Sequence, residues 1–386
     1  MFAEKNNSNL TFAVGGVALT AVFAMLVIHV ENQWALLALL TGGSVAAWAA
    51  ARLGVAKRAD VAFSHHHRLL NLIVSCAFLS ILFVFREDHF PLLMLASLLL
   101  YSVVCLGLNI QLGYCGVVNF AGAAFFGVGS YTAAVLAAHT QLPHLLILLA
   151  GGLAAASIGS LLLLPVLRTR GHYAALVTIA FGILFRTFLE VNETLGGPQG
   201  LKIPGMKIFG WSLRENIEWG DTTISFYANY VILAMILAAL AFTITKRLER
   251  SWIGLNFDAV RIDETAAATF GINIPRWKIT AFVIGNLFAG VAGAFFAMMT
   301  GFVAPTNFTF GDSLILISIG VMGGIGNPWA ILPAAAIVLL LPEKLQAIQE
   351  YRFLLYAIAV ILILLFRPDG LFPRRLRDYI PGWSAK

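Results

Sequence analysis

Three consecutive histidines, His65, His66 and His67, followed by Arg68, form the most conspicuous group with chemical potential, and the chemistry would be metal binding. Successive side chains on a helix fan around its axis and do not converge on one ion. With Arg52, Lys57 and Arg58 close by, the group reads instead as a basic loop on the water side of a membrane. No metal site and no catalytic residue are therefore assigned. The sequence contains no GxxxxGK[ST], so it does not cradle ATP itself, and HExxH and GxSxG are missing too. Every Asp and Glu is assigned to a loop or a helix end, which argues against proton coupling through intramembrane carboxylates. His172 and Arg186 are placed at the ends of a span, where polar side chains reach water.

Uncharged polar residues are more informative. They cluster in NIQLGYCGVVNFAGAAFFGVGSYTAAVL, Asn109 to Leu136, where Gly113, Gly116, Gly122, Gly127 and Gly129 remove bulk and let backbones approach or a helix open. Irregular backbone at membrane depth is tolerated only when buried in protein or lining a cavity. Asn109, Gln111, Tyr114, Asn119, Ser130, Tyr131 and Thr132 are candidates to line a translocation path; the alternative is helix packing with polar groups as glue. A second break, VMGGIGNPWAILPAA from Val321 to Ala335, adds Gly323 and Gly324 to the candidates, because paired Gly/Pro interruptions point to a binding or gating region. FAGAAFF at Phe120 recurs loosely as FAGVAGAFF at Phe288, hinting at duplication.

The polar island LERSWIGLNFDAVRIDETAAATFGINIPRWK, Leu248 to Lys278, lies between two long apolar runs. Asp263 suits the N-cap of a short helix, Ala266 to Ala268 allow close packing and Gly271 ends it. Such a knob has no chemistry of its own and fits a groove on another protein, so its expected use is mechanical. On the opposite side, the loop from about 190 to 225 carries NETLGGPQGL, Asn192 to Leu201, and reads as a folded connector or a docking place for a soluble delivery protein.

The elements holding these residues must be transmembrane helices. Hydrophobic residues make up 60% of the chain and charged residues 11%, with a mean hydropathy of +0.86, which one soluble core of 386 residues does not accommodate. The expected fold is an all-α polytopic membrane protein with about 10–12 transmembrane segments, one of them the broken Gly/Pro-interrupted element. Reading 311–341 as two short segments puts most of the 25 Lys and Arg on one face, including Arg374, Arg375 and Arg377 in the tail; one unbroken span would strand those three outside. Both termini are thus expected in the cytoplasm. The basic balance needs no nucleic-acid partner, and Cys76, Cys105 and Cys115 show no paired spacing. The organisation is N-terminal helices with a basic loop over 1–90, a core over 91–373 and a tail over 374–386.

Several blocks occur in one order: LGLNIQLGYCGVVNFAGAAFFGVGSYTAAVL, LRTRGHYAALVTIAFGILFRT, LGGPQGL, DETAAATFGINIPRWKITAFVIGNLFAGVAGAFFA, GFVAPTNFTF, MGGIGNPW and FRPDGLF. Together they resemble the LivM-type membrane subunits of ABC importers for branched-chain amino acids. The resemblance implies an inner-membrane subunit that works with a homologous second permease, two cytoplasmic P-loop ATPases carrying Mg-ATP and a periplasmic binding protein. It implies no cofactor in this chain. It also makes Asp263, Glu264, Ala266, Ala267 and Gly271 the ATPase-coupling residues, with Thr265 where the general pattern has Glu and Glu264 one position earlier. Leu, Ile or Val are the implied substrates; related permeases carry urea, short amides or other small acids. A facilitator working without an ATPase and an integral-membrane enzyme are the competing classes.

Overall fold

The computed structural model describes residues 2–30, 67–168, 173–208, 210–219 and 222–344, with isolated positions between 32 and 43 and between 351 and 374. His65, His66, His172, the loop before Arg68, most of the apolar run at 353–366 and the tail beyond Arg374 lie outside these residues. Contacts divide the chain into two compact units, one comprising 1–93, 216–228 and 343–346, the other 94–215, 229–342 and 347–386.

Among the continuously described residues the helices are, in chain order, α1 (Phe2–His29), α2 (His67–Val84), α3 (His89–Leu108), α4 (Gly122–His139), α5 (His144–Arg168), α6 (Tyr173–Val191), α7 (Tyr227–Arg250), α8 (Trp252–Ile262), α9 (Glu264–Thr269), α10 (Ile274–Thr300), α11 (Phe310–Gly323) and α12 (Ile331–Lys344). A π-helical turn, Asn109–Tyr114, continues α3. Strands of two or three residues pair antiparallel in three small ribbons, one of which joins Leu201–Lys202 to Phe302–Val303. The protein is an all-α polytopic membrane protein. Among the described residues, six helices are long and apolar enough to cross a bilayer: His89–Tyr114, His144–Pro165, Ala174–Val191, Tyr227–Arg250, Ile274–Thr300 and Pro305–Gly323. The stretch at 311–341 is broken, as its glycines and proline require. Gly324 and Gly326 adopt φ of 125° and 92°, and Asn327 caps a 3₁₀ turn, Pro328–Ala330, before α12 starts.

In the smaller unit α1 packs against α2. Lys344 donates to the Ile28 carbonyl at 2.5 Å, and His89 Nδ1 lies 2.5 Å from the Ser225 hydroxyl.

The core of the larger unit is the crossing of α4, α5 and α10. Small residues fill its centre because the three backbones nearly touch. A Cβ on Gly129 would sit 2.0 Å from the Gly290 carbonyl oxygen, one on Gly293 would sit 1.9 Å from that of Phe126, and one on Gly290 would meet the Gly151 carbonyl at 2.5 Å. Close backbone approach maximises dispersion contact where lipid supplies no hydrophobic drive between helices. The two copies of the repeated FAG motif thus lie on helices that press against each other. Ser130 donates to the carbonyls of both Phe126 and Gly293 at 2.9 Å, tying α4 to α10 at the same seam.

Gly129→Ala is expected to destabilise the protein by about 1–3 kcal/mol, since backbone and not a movable side chain blocks the new methyl. Gly182→Ala on α6, which meets open space, is expected to leave stability unchanged or raise it by up to about 1 kcal/mol. Thermal unfolding of the two detergent-purified variants checks the contrast, and equal losses would refute it.

Candidate functional site

The polar island folds into two helices. Ser251 caps α8 by accepting from the Ile253 and Gly254 amides, and Gly254 is needed because a Cβ there would lie 2.5 Å from the Leu248 carbonyl oxygen. Asp263 ends α8 and starts α9: its Oδ1 accepts from Thr265 N at 2.8 Å and Ala266 N at 3.0 Å. Gly271, at φ +79°, closes α9, and the Ile272 amide returns to the Ala267 carbonyl at 3.1 Å. Ala267 is buried, whereas Ala266 and Gly271 are exposed, and Glu264 pairs with Lys278 at 2.6 Å. Around this knob stand exposed apolar side chains, Ile262 and, at 86% exposure, Phe270. Between knob and core, burial pushes the Cys115 thiol up to about 12, Lys278 lowering and Glu264 raising it.

Behind the knob, α8 is bonded to the π-helical turn. Arg261 Nη1 donates to the Gly113 carbonyl. Asp258, buried, receives Arg374 through a two-pronged bridge, Nη1 to Oδ1 at 2.6 Å and Nη2 to Oδ2 at 3.1 Å. The guanidinium lies 4.4 Å from the centre of the Tyr114 ring. Burial would lower the Arg374 pKa, but the hydrogen bonds and charge of Asp258 hold it above its ordinary value.

The π-helical turn is also where the two Gly-rich breaks meet. Asn109 Oδ1 accepts from the Gly326 amide at 2.7 Å, and a Cβ on Gly113 would lie 2.6 Å from that same nitrogen. Gly323 and Gly324 are buried beside this joint, and a Cβ on Gly323 would meet the Ala330 carbonyl at 2.8 Å. In the same turn, Gln111 Nε2 donates to the Phe282 carbonyl at 3.1 Å and to Asn286 Oδ1 at 3.0 Å. Asn119 Nδ2 donates to Gln111 Oε1 at 2.8 Å and to Asn286 Oδ1 at 3.2 Å, while Asn119 Oδ1 accepts from the Ala121 amide at 2.9 Å. Asn286 Nδ2 remains without a partner against Gly159.

The candidate path residues Asn109, Tyr114, Asn119, Ser130, Gly323 and Gly324 are thus all buried in the larger unit. Asn109, Gly323 and Gly324 come together at the joint with Tyr114 nearby, Asn119 belongs to the amide cluster, and Ser130 sits apart on the α4–α10 seam. Asp263, Glu264, Ala266, Ala267 and Gly271 form the knob. Asp258, Arg261 and Asn286 carry no mark of their own in the sequence, while Gly326 is legible there only as part of the break and Arg374 only as a charge that sets the side of the tail. The one available signal was an acid and an arginine three residues apart, in FDAVRI, on a short helix.

An all-helical membrane protein with two interrupted segments joined at a buried polar centre and a short knob beside them has the architecture of a transport subunit. Residues 90–366 match the family described as the permease component of the branched-chain amino acid transport system, and the chain belongs to that family. The high-affinity branched-chain amino acid transport system permease protein LivM of Salmonella typhimurium LT2 is 36% identical over 289 residues, 71% of this chain and 68% of that protein. LivM of Escherichia coli K12 matches to the same extent, at 36% over 289 residues. The high-affinity branched-chain amino acid transport system permease protein LivH of Escherichia coli K12 is 26% identical over 292 residues, 71% of this chain and 91% of its own length. No solved structure gives a significant match.

Asn109→Ala strips the Gly326 amide of its acceptor in a buried setting and is expected to cost about 1–3 kcal/mol. A lowered unfolding temperature for the purified variant checks this; an unchanged one would mean that another group or water serves Gly326.

Proposed function

We propose that the chain is one of two membrane subunits of an ATP-driven importer for leucine, isoleucine and valine in a bacterial inner membrane, with both termini in the cytoplasm. LivM and LivH are both relatives, which supports a homologous second permease as the partner across the path. Two P-loop ATPases with Mg-ATP would seat the Asp263–Gly271 knob, a periplasmic binding protein would deliver the amino acid, and the apolar outer faces would meet lipid. No bond of the substrate is made or broken here.

The observation that carries this reading is the bonded route from knob to core. α9 is capped onto α8 by Asp263, α8 holds the Gly113 carbonyl through Arg261, and the same turn holds Gly326 through Asn109. A push on the exposed knob therefore reaches both Gly-rich breaks through hydrogen bonds and not through a loose loop. ATP drives transport only by giving the ATPases different affinities for two arrangements of this body. Glu264, paired with Lys278 at the rim, orients the knob in this scheme and can re-pair with an ATPase residue on docking.

Gly271→Val places a β-branched residue at φ +79° and a new side chain on the exposed face of the knob. The expected outcome is loss of ATP-driven uptake of radiolabelled leucine in proteoliposomes holding the complete complex, with normal membrane insertion. Unchanged uptake would remove the coupling assignment. Uptake by the unaltered chain without an ATPase would make it a facilitator, and uptake of urea or short amides in place of leucine would correct the substrate.

A further inference from the structure

Arg374 stands beyond the residues that match the family, yet four separate parts of the larger unit converge on it. From α8 comes Asp258, bound by both terminal nitrogens at 2.6 and 3.1 Å. The end of α7 supplies Glu249, whose Oε1 faces Arg374 Nε at 3.5 Å, an ion pair and not a hydrogen bond, while Lys246 holds the other oxygen at 2.9 Å. The π-helical turn gives the Tyr114 face, 4.4 Å from the guanidinium. Finally, the second break abuts the side-chain stem: a Cβ on Gly326 would lie 2.6 Å from Arg374 Cδ. Four residues before Arg374, Gly370 (φ +85°) leaves so little room that a Cβ would meet Gly324 Cα at 2.4 Å.

The Arg374 side chain is 5% exposed and that of Asp258 is 4% exposed. A pair so deeply desolvated contributes little net stability, because the solvation lost by both ions offsets their attraction. What it does supply is geometry. A planar fork on a carboxylate, stacked on an aromatic ring, fixes distance and angle together, which an ammonium does not do.

We propose that Arg374 is a positioning residue for transport: a latch by which the C-terminal tail binds α8 to the second Gly-rich break, so that displacement of the knob moves Gly324 and Gly326 in step. With Arg261 on the Gly113 carbonyl, α8 then grips both breaks, the first directly and the second through the tail. The inference rests on the importer reading above and adds to it a part of the chain to which neither the knob nor the candidate path extends.

The test uses the complete complex in proteoliposomes with its ATPases, binding protein, ATP and radiolabelled leucine, and reads leucine taken up per ATP hydrolysed. Arg374→Ala and Asp258→Asn are expected to lower that ratio by roughly tenfold or more, the size of effect that losing the coupling between two linked sites carries. Arg374→Lys, which keeps the charge without the fork, is expected to recover only part of it. A merely structural role would reduce the amount of complex and both rates alike, leaving the ratio at the unaltered value, and that result would overturn the latch. Should Arg374→Ala fail to assemble, Arg374→Lys and Asp258→Asn decide by the same ratio. Leucine uptake without ATP hydrolysis in the unaltered complex would overturn the importer reading and the latch together; ATP-driven uptake with an undiminished ratio in the variants would overturn the latch alone.

Discussion

A peptide group released from a helix inside an apolar core must find a partner within the protein or cost several kcal/mol. In this chain regular α-helix gives way at the π-helical turn Asn109–Tyr114 and at Gly324–Ala330, and long-range bonds gather at both places. Asn109 takes the Gly326 amide, Arg261 serves the Gly113 carbonyl, and Gln111 crosses to the Phe282 carbonyl and Asn286 on α10. Each of these bonds spans distant parts of the chain. At Gly326, satisfying the backbone and joining the two breaks are therefore the same act.

Glycine makes the joints short enough to work. Side chains at 113 and 326 would hold the breaks apart, just as side chains at 129, 290 and 293 would wedge α4 from α10. The α4–α5–α10 crossing offers a rigid frame with backbones in contact, and the knob-to-break assembly is attached to that frame through the amide cluster of Gln111, Asn119 and Asn286. The Nδ2 of Asn286 finds no partner within this network among the described residues. A stiff frame beside a polar, interrupted region is the division of labour a transporter needs between a fixed scaffold and a moving part.

Much of this was legible in the residues, for identifiable reasons. Apolar runs of bilayer length and the cluster Gly323, Gly324, Gly326 and Pro328 announce spans and a break by local rules alone, and the structure has the break and, among its described residues, six helices long and apolar enough to span. Asp263 and Gly271 obey capping rules that depend on a few neighbouring residues, so a short helix between them could be read directly. What could not be read is pairing across the chain. Nothing local marks Asp258 as buried, because an acid in a polar island looks solvated until Arg374, more than a hundred residues on, is brought to it. Likewise Asn109 and Ser130 looked equally fit to line a path or to glue helices. In the folded chain Asn109 binds the second break, and Ser130 bonds the α10 backbone.

The central claim is that the knob, the π-helical turn and the second break move as one body. Spin labels at Phe270 on the knob and Trp329 beside the break, both exposed, report it by pulsed distance measurement in the complete complex, nucleotide-free and with ATP trapped. The account predicts the same distance distribution in both states, while either label moves relative to a third on the partner permease. A shift between Phe270 and Trp329 by as much as a helical turn would show that the knob moves independently and would contradict it.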